Sequence, residues 1–80
     1  MDFDNLTIVQ VIWDDAEACN IWRDIEDACN IKRCKTIGYL IGEDDKQIKV
    51  ANTMASDKDI SGDWAIPKGM IVEIKKFKIK

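Results

Sequence analysis

The residues in this sequence best suited to chemistry are large aromatic side chains with cationic neighbours. A ring can stack on a nucleotide base while a cation meets its phosphate, and a hydroxyl or backbone amide adds hydrogen bonds. The candidate ligand-binding residues are Trp13, Arg33, Thr36, Tyr39, Trp64, Lys68 and Gly69. In the alternative interpretation, Trp13 and Trp64 close the two ends of a small barrel and contact no ligand.

Groups for catalysis and cofactor binding are scarce. The chain has no histidine, so a serine or cysteine nucleophile would lack its ordinary general base. The four glycines are scattered and match no phosphate-binding loop. Helix capping and turn formation explain the acidic pairs at 14–15 and 43–45. We therefore expect a protein that is not an enzyme and needs no metal or cofactor.

Charge is unevenly distributed along this chain of net charge −3. Residues 1–30 hold eight acids and one base, whereas residues 31–80 hold eleven bases and seven acids. This asymmetry predicts either an acidic surface opposite a basic one or two halves that attract each other. A strong nucleic-acid binder is usually basic overall, which this chain is not. The lysine-rich end, residues 75–80, predicts contact with an anionic partner or a solvated strand edge.

The cysteines and the N-terminal residues bear on the compartment. The chain has an odd number of cysteines, Cys19, Cys29 and Cys34, which is not typical of a disulfide scaffold. We expect them to be small, buried, reduced side chains. Asp2 and Asp4 stand where a signal peptide carries positive charge. No apolar run is long enough to span a bilayer. We expect a cytoplasmic protein without a membrane partner.

Strands and one helix are predicted to position these side chains. Residues 6–13 and 34–42 are short apolar runs rich in β-branched residues, which is typical of strands. Between them, apolar residues from Ala16 to Cys29 recur at spacings of three and four. This period predicts an amphipathic helix of roughly four turns that packs on a sheet. Its exposed face would be acidic, with Glu17, Asp24 and Asp27.

The second half of the chain predicts strands and turns only. Residues 43–46 form the turn of a hairpin whose second strand covers residues 46–54. The polar residues 55–63 predict the longest loop, and a short strand follows at 64–66. Pro67, Lys68 and Gly69 predict a tight turn before a last strand that ends at residue 77 or 79.

The order of elements is therefore one strand, one helix and four strands in a single domain of 80 residues. Gly38 and Gly42 inside the second strand predict curvature or a bulge. We expect an α+β fold with a small, strongly bent antiparallel sheet, or a half-open SH3-like or Sm-like barrel, of about five strands with the helix after the first. An open sheet edge predicts a homo-oligomer.

Three segments have a distinctive composition and order. They are Val11–Ala16 with its Trp-Asp-Asp-Ala end, Cys34–Ile41 followed by Glu43 and Asp44, and Ile66–Ile71 with its Ile-Pro-Lys-Gly-Met start. Together they resemble a group of small phage-encoded proteins with a Trp-x-Asp-Ala / Cys-x-Thr-x-Gly-aromatic-Leu / Ile-Pro-Lys-Gly-Met pattern. The resemblance covers most of the chain. It implies a phage or prophage origin, expression in the host bacterial cytoplasm and no established enzymatic activity.

Small non-structural phage proteins mostly bind a host molecule, and this gives three hypotheses for the binding function. The leading hypothesis is counter-defence, in which an oligomer sequesters a nucleotide-type signal of host immunity. The second is a protein-interaction module that inhibits a host enzyme through the acidic helix face. The third is a nucleic-acid-binding barrel that uses its strands and the lysine-rich end.

Overall fold

The computed structural model describes residues 6–16 and 20–78, and in this part the chain is all β. One antiparallel sheet has the strand order β4-β3-β2-β1-β5. Single turns of 3₁₀ helix lie between β1 and β2 (Ile25–Asp27) and between β4 and β5 (Lys68–Met70). The strands are β1 (Thr7–Asp15), β2 (Lys32–Glu43), β3 (Gln47–Met54), β4 (Ile60–Pro67) and β5 (Ile71–Lys78).

The core lies on one face of this sheet. Successive strand residues point to opposite faces, and in β1 every second side chain from Val9 to Trp13 is buried. The buried cluster consists of Val9, Val11, Trp13, Ile48, Val50 and Ile66. We call this side the inner face and the opposite side the outer face. The burial pattern of β1, extended across the sheet by the pairing register, therefore assigns the paired strand residues to a face.

The link between β4 and β5 requires the sheet to curl. These strands lie at opposite edges, so a flat sheet would separate them by about 19 Å, four strand spacings. The chain from Pro67 to Ile71 spans at most about 15 Å. The backbone N–H of Lys68 donates to the Lys46 carbonyl at 2.8 Å, which ties the link to the β2–β3 turn. Neither β4 nor β5 pairs with the other, so the sheet stays open.

The middle strand β2 changes its neighbours along its length. It pairs with β1 from residue 32 to 39 but with β3 only from Tyr39 to Glu43. The β2–β3 register shifts between Leu40 and Gly42, which indicates a bulge, and bulges increase local twist. As a result, the first half of β2 diverges from β3, while β3 continues alongside β4 to Met54.

The predicted helix from Ala16 to Cys29 is wrong over the described residues 20–29. This segment is irregular apart from the 3₁₀ turn at Ile25–Asp27. Most of the stability of a helix comes from packing its apolar face, and here Ile21, Trp22 and Ile25 are exposed. The sheet completes its core with its own strands, so nothing covers a helical stripe. The α+β fold with a helix after the first strand is therefore wrong, and the described chain is an all-β antiparallel sheet of five strands that is not closed into a barrel.

The predicted strands over residues 6–13, 34–42 and 46–54 coincide with β1, β2 and β3 to within a few residues. The loop predicted over residues 55–63 is too long, because β4 begins at Ile60. Residues 61–63 are Ser, Gly and Asp, yet their pairing with β3 holds them in an edge strand, where context outweighs composition. The turn predicted at 67–69 is the 3₁₀ link at Lys68–Met70.

The cysteines differ from expectation. Cys29 is disulfide-bonded rather than reduced, and it is only partly buried. Cys34 is a free thiol that packs against the core. Cys19 and Glu17 lie outside the described residues. No helix in the described part of the chain is long and apolar enough to cross a membrane.

Candidate ligand-binding cleft

A cleft opens where β2 leaves β3, and it holds a volume of about 250 Å³. Because β3 stays with β4, the cleft lies between the first half of β2 on one side and the β3–β4 pair on the other. Its lining residues are Lys35, Thr36, Ile37, Val50, Asn52, Gly62 and Trp64. The divergence of two strands therefore creates the cleft, and β-alternation brings Thr36 and Trp64 to the same inner face.

Trp64 is an aromatic platform supported from one side. The Trp13 and Trp64 ring centroids lie 6.0 Å apart at an interplanar angle of 61°, an edge-to-face geometry that aromatic pairs favour. Trp13 is itself buried, and its indole N–H donates to the Thr36 hydroxyl at 2.9 Å. Trp64 remains 53% exposed. The fixed ring of Trp13 therefore positions Trp64 while leaving much of its surface free for a ligand.

Polar groups border this platform. The Asn52 side chain lies against Gly62, whose φ of +67° suits glycine. A side chain at position 62 would overlap the Asn52 amide, so glycine is needed for this close approach. Asn52 and Thr36 supply hydrogen-bonding groups for the edge of a planar ring. Pockets for whole drug-sized ligands have roughly 300–1,000 Å³, so this cleft suits a single ring.

Arg33 does not line the cleft. Its guanidinium donates two hydrogen bonds to the Asp14 carboxylate, at 2.8 and 3.0 Å. The two residues are cross-strand partners on β1 and β2, next to the Trp13–Cys34 pair and therefore on the outer face. The hydrogen bond from Arg33 lowers the pKa of Asp14 below its usual value. The predicted phosphate-binding role of Arg33 would require breaking this pair.

Lys68 is also engaged by a carboxylate. Its ammonium lies 3.0 Å from one Glu43 oxygen, and Lys76 donates to the other oxygen at 2.9 Å. Glu43 thus joins the end of β2 to the β4–β5 link and to β5. The hydrogen bond from Lys76, and to a lesser extent the one from Lys68, lowers the pKa of Glu43.

The Glu43 cluster gives a testable pH dependence. The pKa of Glu43 is lower in the folded chain than in the unfolded chain, so its contribution to stability is present above the unfolded value. It is lost as pH falls through the lowered folded value. Between about pH 5 and 3, the melting temperature of Glu43→Gln should therefore fall less than that of the wild type. Circular dichroism would measure both.

The matched control for this measurement is Asp63→Asn, since Asp63 forms no ion pair with any described residue. The control should keep the wild-type pH slope. An unchanged slope in Glu43→Gln would show that the cluster does not contribute to acid stability.

The remaining predicted residues lie elsewhere. Tyr39 pairs with Ile8 on the outer face. Gly69 lines a separate depression with Asp14, Ile31 and Met70. Of the seven predicted site residues, the structure thus brings together Trp13, Thr36 and Trp64, whereas Arg33, Tyr39, Lys68 and Gly69 are apart from them.

Sequence reasoning missed Asn52 and Gly62. The composition of residues 55–63 predicts a loop, so the register that places Gly62 beside Asn52 does not follow from the sequence. A signal did exist in Gly62 itself, because a glycine in an extended polar run marks a close backbone approach or a bulge.

The described residues contain no group of three or more cysteine, aspartate or glutamate side chains that could hold a metal ion. No protein-family model, curated protein or solved structure matches this chain.

Proposed function

We propose that this chain is a non-catalytic binding protein that stacks a planar heterocycle of nucleotide type on Trp64. The observation that carries the proposal is the half-exposed Trp64 ring, fixed from one side by Trp13 at the edge of a polar cleft. Every nucleobase has a π-face, and stacking on an aromatic side chain contributes about 1–3 kcal/mol per base.

The site is organised before the ligand arrives. Thr36 orients Trp13, and Trp13 positions Trp64, so little side-chain entropy is lost on binding. Asn52 and Thr36 offer hydrogen bonds that can distinguish one ring edge from another. Affinity would come from stacking and specificity from these polar groups.

Charged side chains contribute less to the proposed ligand binding than the sequence predicts. Arg33 and Lys68 are paired with Asp14 and Glu43, and Lys35 is the basic residue among those lining the cleft. We therefore expect the ring rather than a phosphate to supply most of the affinity, with weak salt dependence. In a phage-encoded protein, which the three-segment resemblance implies, such binding without turnover would sequester a nucleotide-type host immune signal.

Isothermal titration calorimetry with AMP, GMP and cyclic dinucleotides tests this function. We expect saturable binding by wild type and a loss of roughly tenfold or more in affinity for Trp64→Ala. Trp22→Ala is the matched control, because Trp22 is a fully exposed tryptophan outside the cleft. The control should bind as wild type does.

Two results would overturn the proposal. One is no saturable binding of any of these ligands at millimolar concentration. The other is unchanged affinity in Trp64→Ala.

A further inference from the structure

The segment between β1 and β2 carries an exposed apolar surface. We call residues 20–31 the arm. Its Ile25 is 91% exposed and its Trp22 is fully exposed, and Ile21 and Ile31 are also largely exposed. Within the described chain, its hydrogen bonds are local, such as the one from Arg23 to the Asp27 carbonyl. Monomeric proteins rarely leave so much apolar surface together in water.

The arm is also acidic. It holds Asp24, Glu26 and Asp27 against the single base Arg23. Its preferred contact surface should therefore combine apolar side chains with lysines, since opposite charges across an interface set its register and exclude wrong partners.

The outer face of β5, β1 and β2 has this combination. Register places Phe77, Ile8 and Tyr39 in one cross-strand row, and the next row contains Lys75, Gln10 and Ile37. Phe77 is 51% and Ile37 is 56% exposed. Lys35 follows on the same face, because it pairs with Ile12. Glu73 pairs with Ile12 from the other side and lies 3.5 Å from the Lys75 ammonium, so the patch combines apolar residues with two lysines and one carboxylate.

We propose that two copies of this chain form a twofold dimer in which the arm of each copy lies on the outer face of the other. The arm supplies isoleucines, tryptophan and carboxylates, and the outer face supplies Ile37, Phe77 and lysines. Because a twofold axis repeats every contact, each arm–face contact occurs twice and need bury only about half of the roughly 1,600 Å² of a standard interface.

The partner copy suits this contact better than the arm's own sheet. The arm joins β2 at Lys32, and the Phe77–Ile8–Tyr39 row crosses β2 at Tyr39, roughly 23 Å away along that strand. In the structure the arm leaves its apolar side chains exposed rather than folding back. The contact involves neither Trp13 nor Trp64, but it shares Lys35 and Ile37 with the lining of the cleft.

Charge reversal on each surface gives a decisive test in the full-length chain. The arm variant is Asp24→Lys with Asp27→Lys, and the face variant is Lys35→Glu with Lys75→Glu. Each variant alone would oppose like charges in a dimer, whereas an equimolar mixture would restore opposite charges at both contacts. Sedimentation velocity and native mass spectrometry, without reductant because Cys29 is disulfide-bonded, would measure association.

We expect wild type at twice the 9.1 kDa chain mass. Each variant alone should dissociate with a constant roughly tenfold or more higher, and the mixture should form heterodimers. The control is Asp45→Lys with Asp57→Lys, which makes the same charge change in two turns and should dimerise as wild type does. Circular dichroism would verify that each variant is folded.

Three outcomes would overturn the dimer. They are a wild-type monomer at several hundred micromolar, a folded arm variant that associates as wild type does, or a mixture that forms no heterodimer. A wild-type monomer whose arm binds a different protein would also overturn it, and would favour the interaction-module function instead.

Discussion

Replacing Ile66 with alanine is expected to remove about 2–5 kcal/mol from the free energy of unfolding. Ile66 is fully buried among Ile48, Val50 and the valines of β1, and the truncated side chain would leave a cavity there. A chain of this length has a total stability of only about 4–12 kcal/mol. A substantial unfolded population at 25 °C is therefore expected, measured by urea denaturation followed by circular dichroism.

Val72→Ala is the control for this core substitution. It also shortens a β-branched residue in a strand, but Val72 is half exposed on β5. We expect it to change the stability by less than about 1 kcal/mol. Similar urea midpoints for both variants would show that Ile66 does not belong to the folding core.

Replacing Gly38 with alanine is the second substitution with a large expected effect. A methyl group at position 38 would lie 2.5 Å from the Ala51 carbonyl oxygen and 2.8 Å from Val50 Cγ1. The first of these is backbone, so β2 and β3 would have to separate. We expect a loss of about 1–3 kcal/mol and a fall in melting temperature of roughly 4–8 °C per kcal/mol.

Gly69→Ala is the matched control, because nothing lies within 4 Å of a methyl group at position 69. It should be neutral or slightly stabilising, since alanine reduces the freedom of the unfolded chain. Equal melting temperatures for the two variants would mean that β2 and β3 tolerate separation at Gly38. Because Gly38 lies where β2 begins to leave β3, its substitution should also weaken ligand binding in the cleft.

The sequence by itself determined the local elements. β-branched runs specify β1, β2 and β3 because their side chains suit a pleated sheet. The β2–β3 turn is equally local, since the Asp44 carboxylate accepts hydrogen bonds from the backbone N–H groups of Lys46 and Gln47. These interactions lie within a few residues, so their sequence patterns are sufficient to predict them.

The helix prediction shows where a periodic pattern is insufficient. Spacings of three and four between 16 and 29 describe which side chains could share a helical face, but a helix forms only where that face is packed. Here Val9, Val11, Ile48, Val50 and Ile66 pack against one another. Whether a sheet completes its own core depends on all its strands together, which no single window of sequence contains.

For the candidate site too, the sequence shows some features and only the tertiary structure shows the others. Aromatic residues and cations could be identified from the sequence, but their partners could not. Cross-strand register pairs Arg33 with Asp14. The short link between the edge strands brings Lys68 to Glu43. Only the curled sheet decides that Trp13 is buried while Trp64, three strands away in the sheet order, meets it at an open cleft. Long-range register and curvature fix these contacts, and neither is encoded in residues adjacent along the chain.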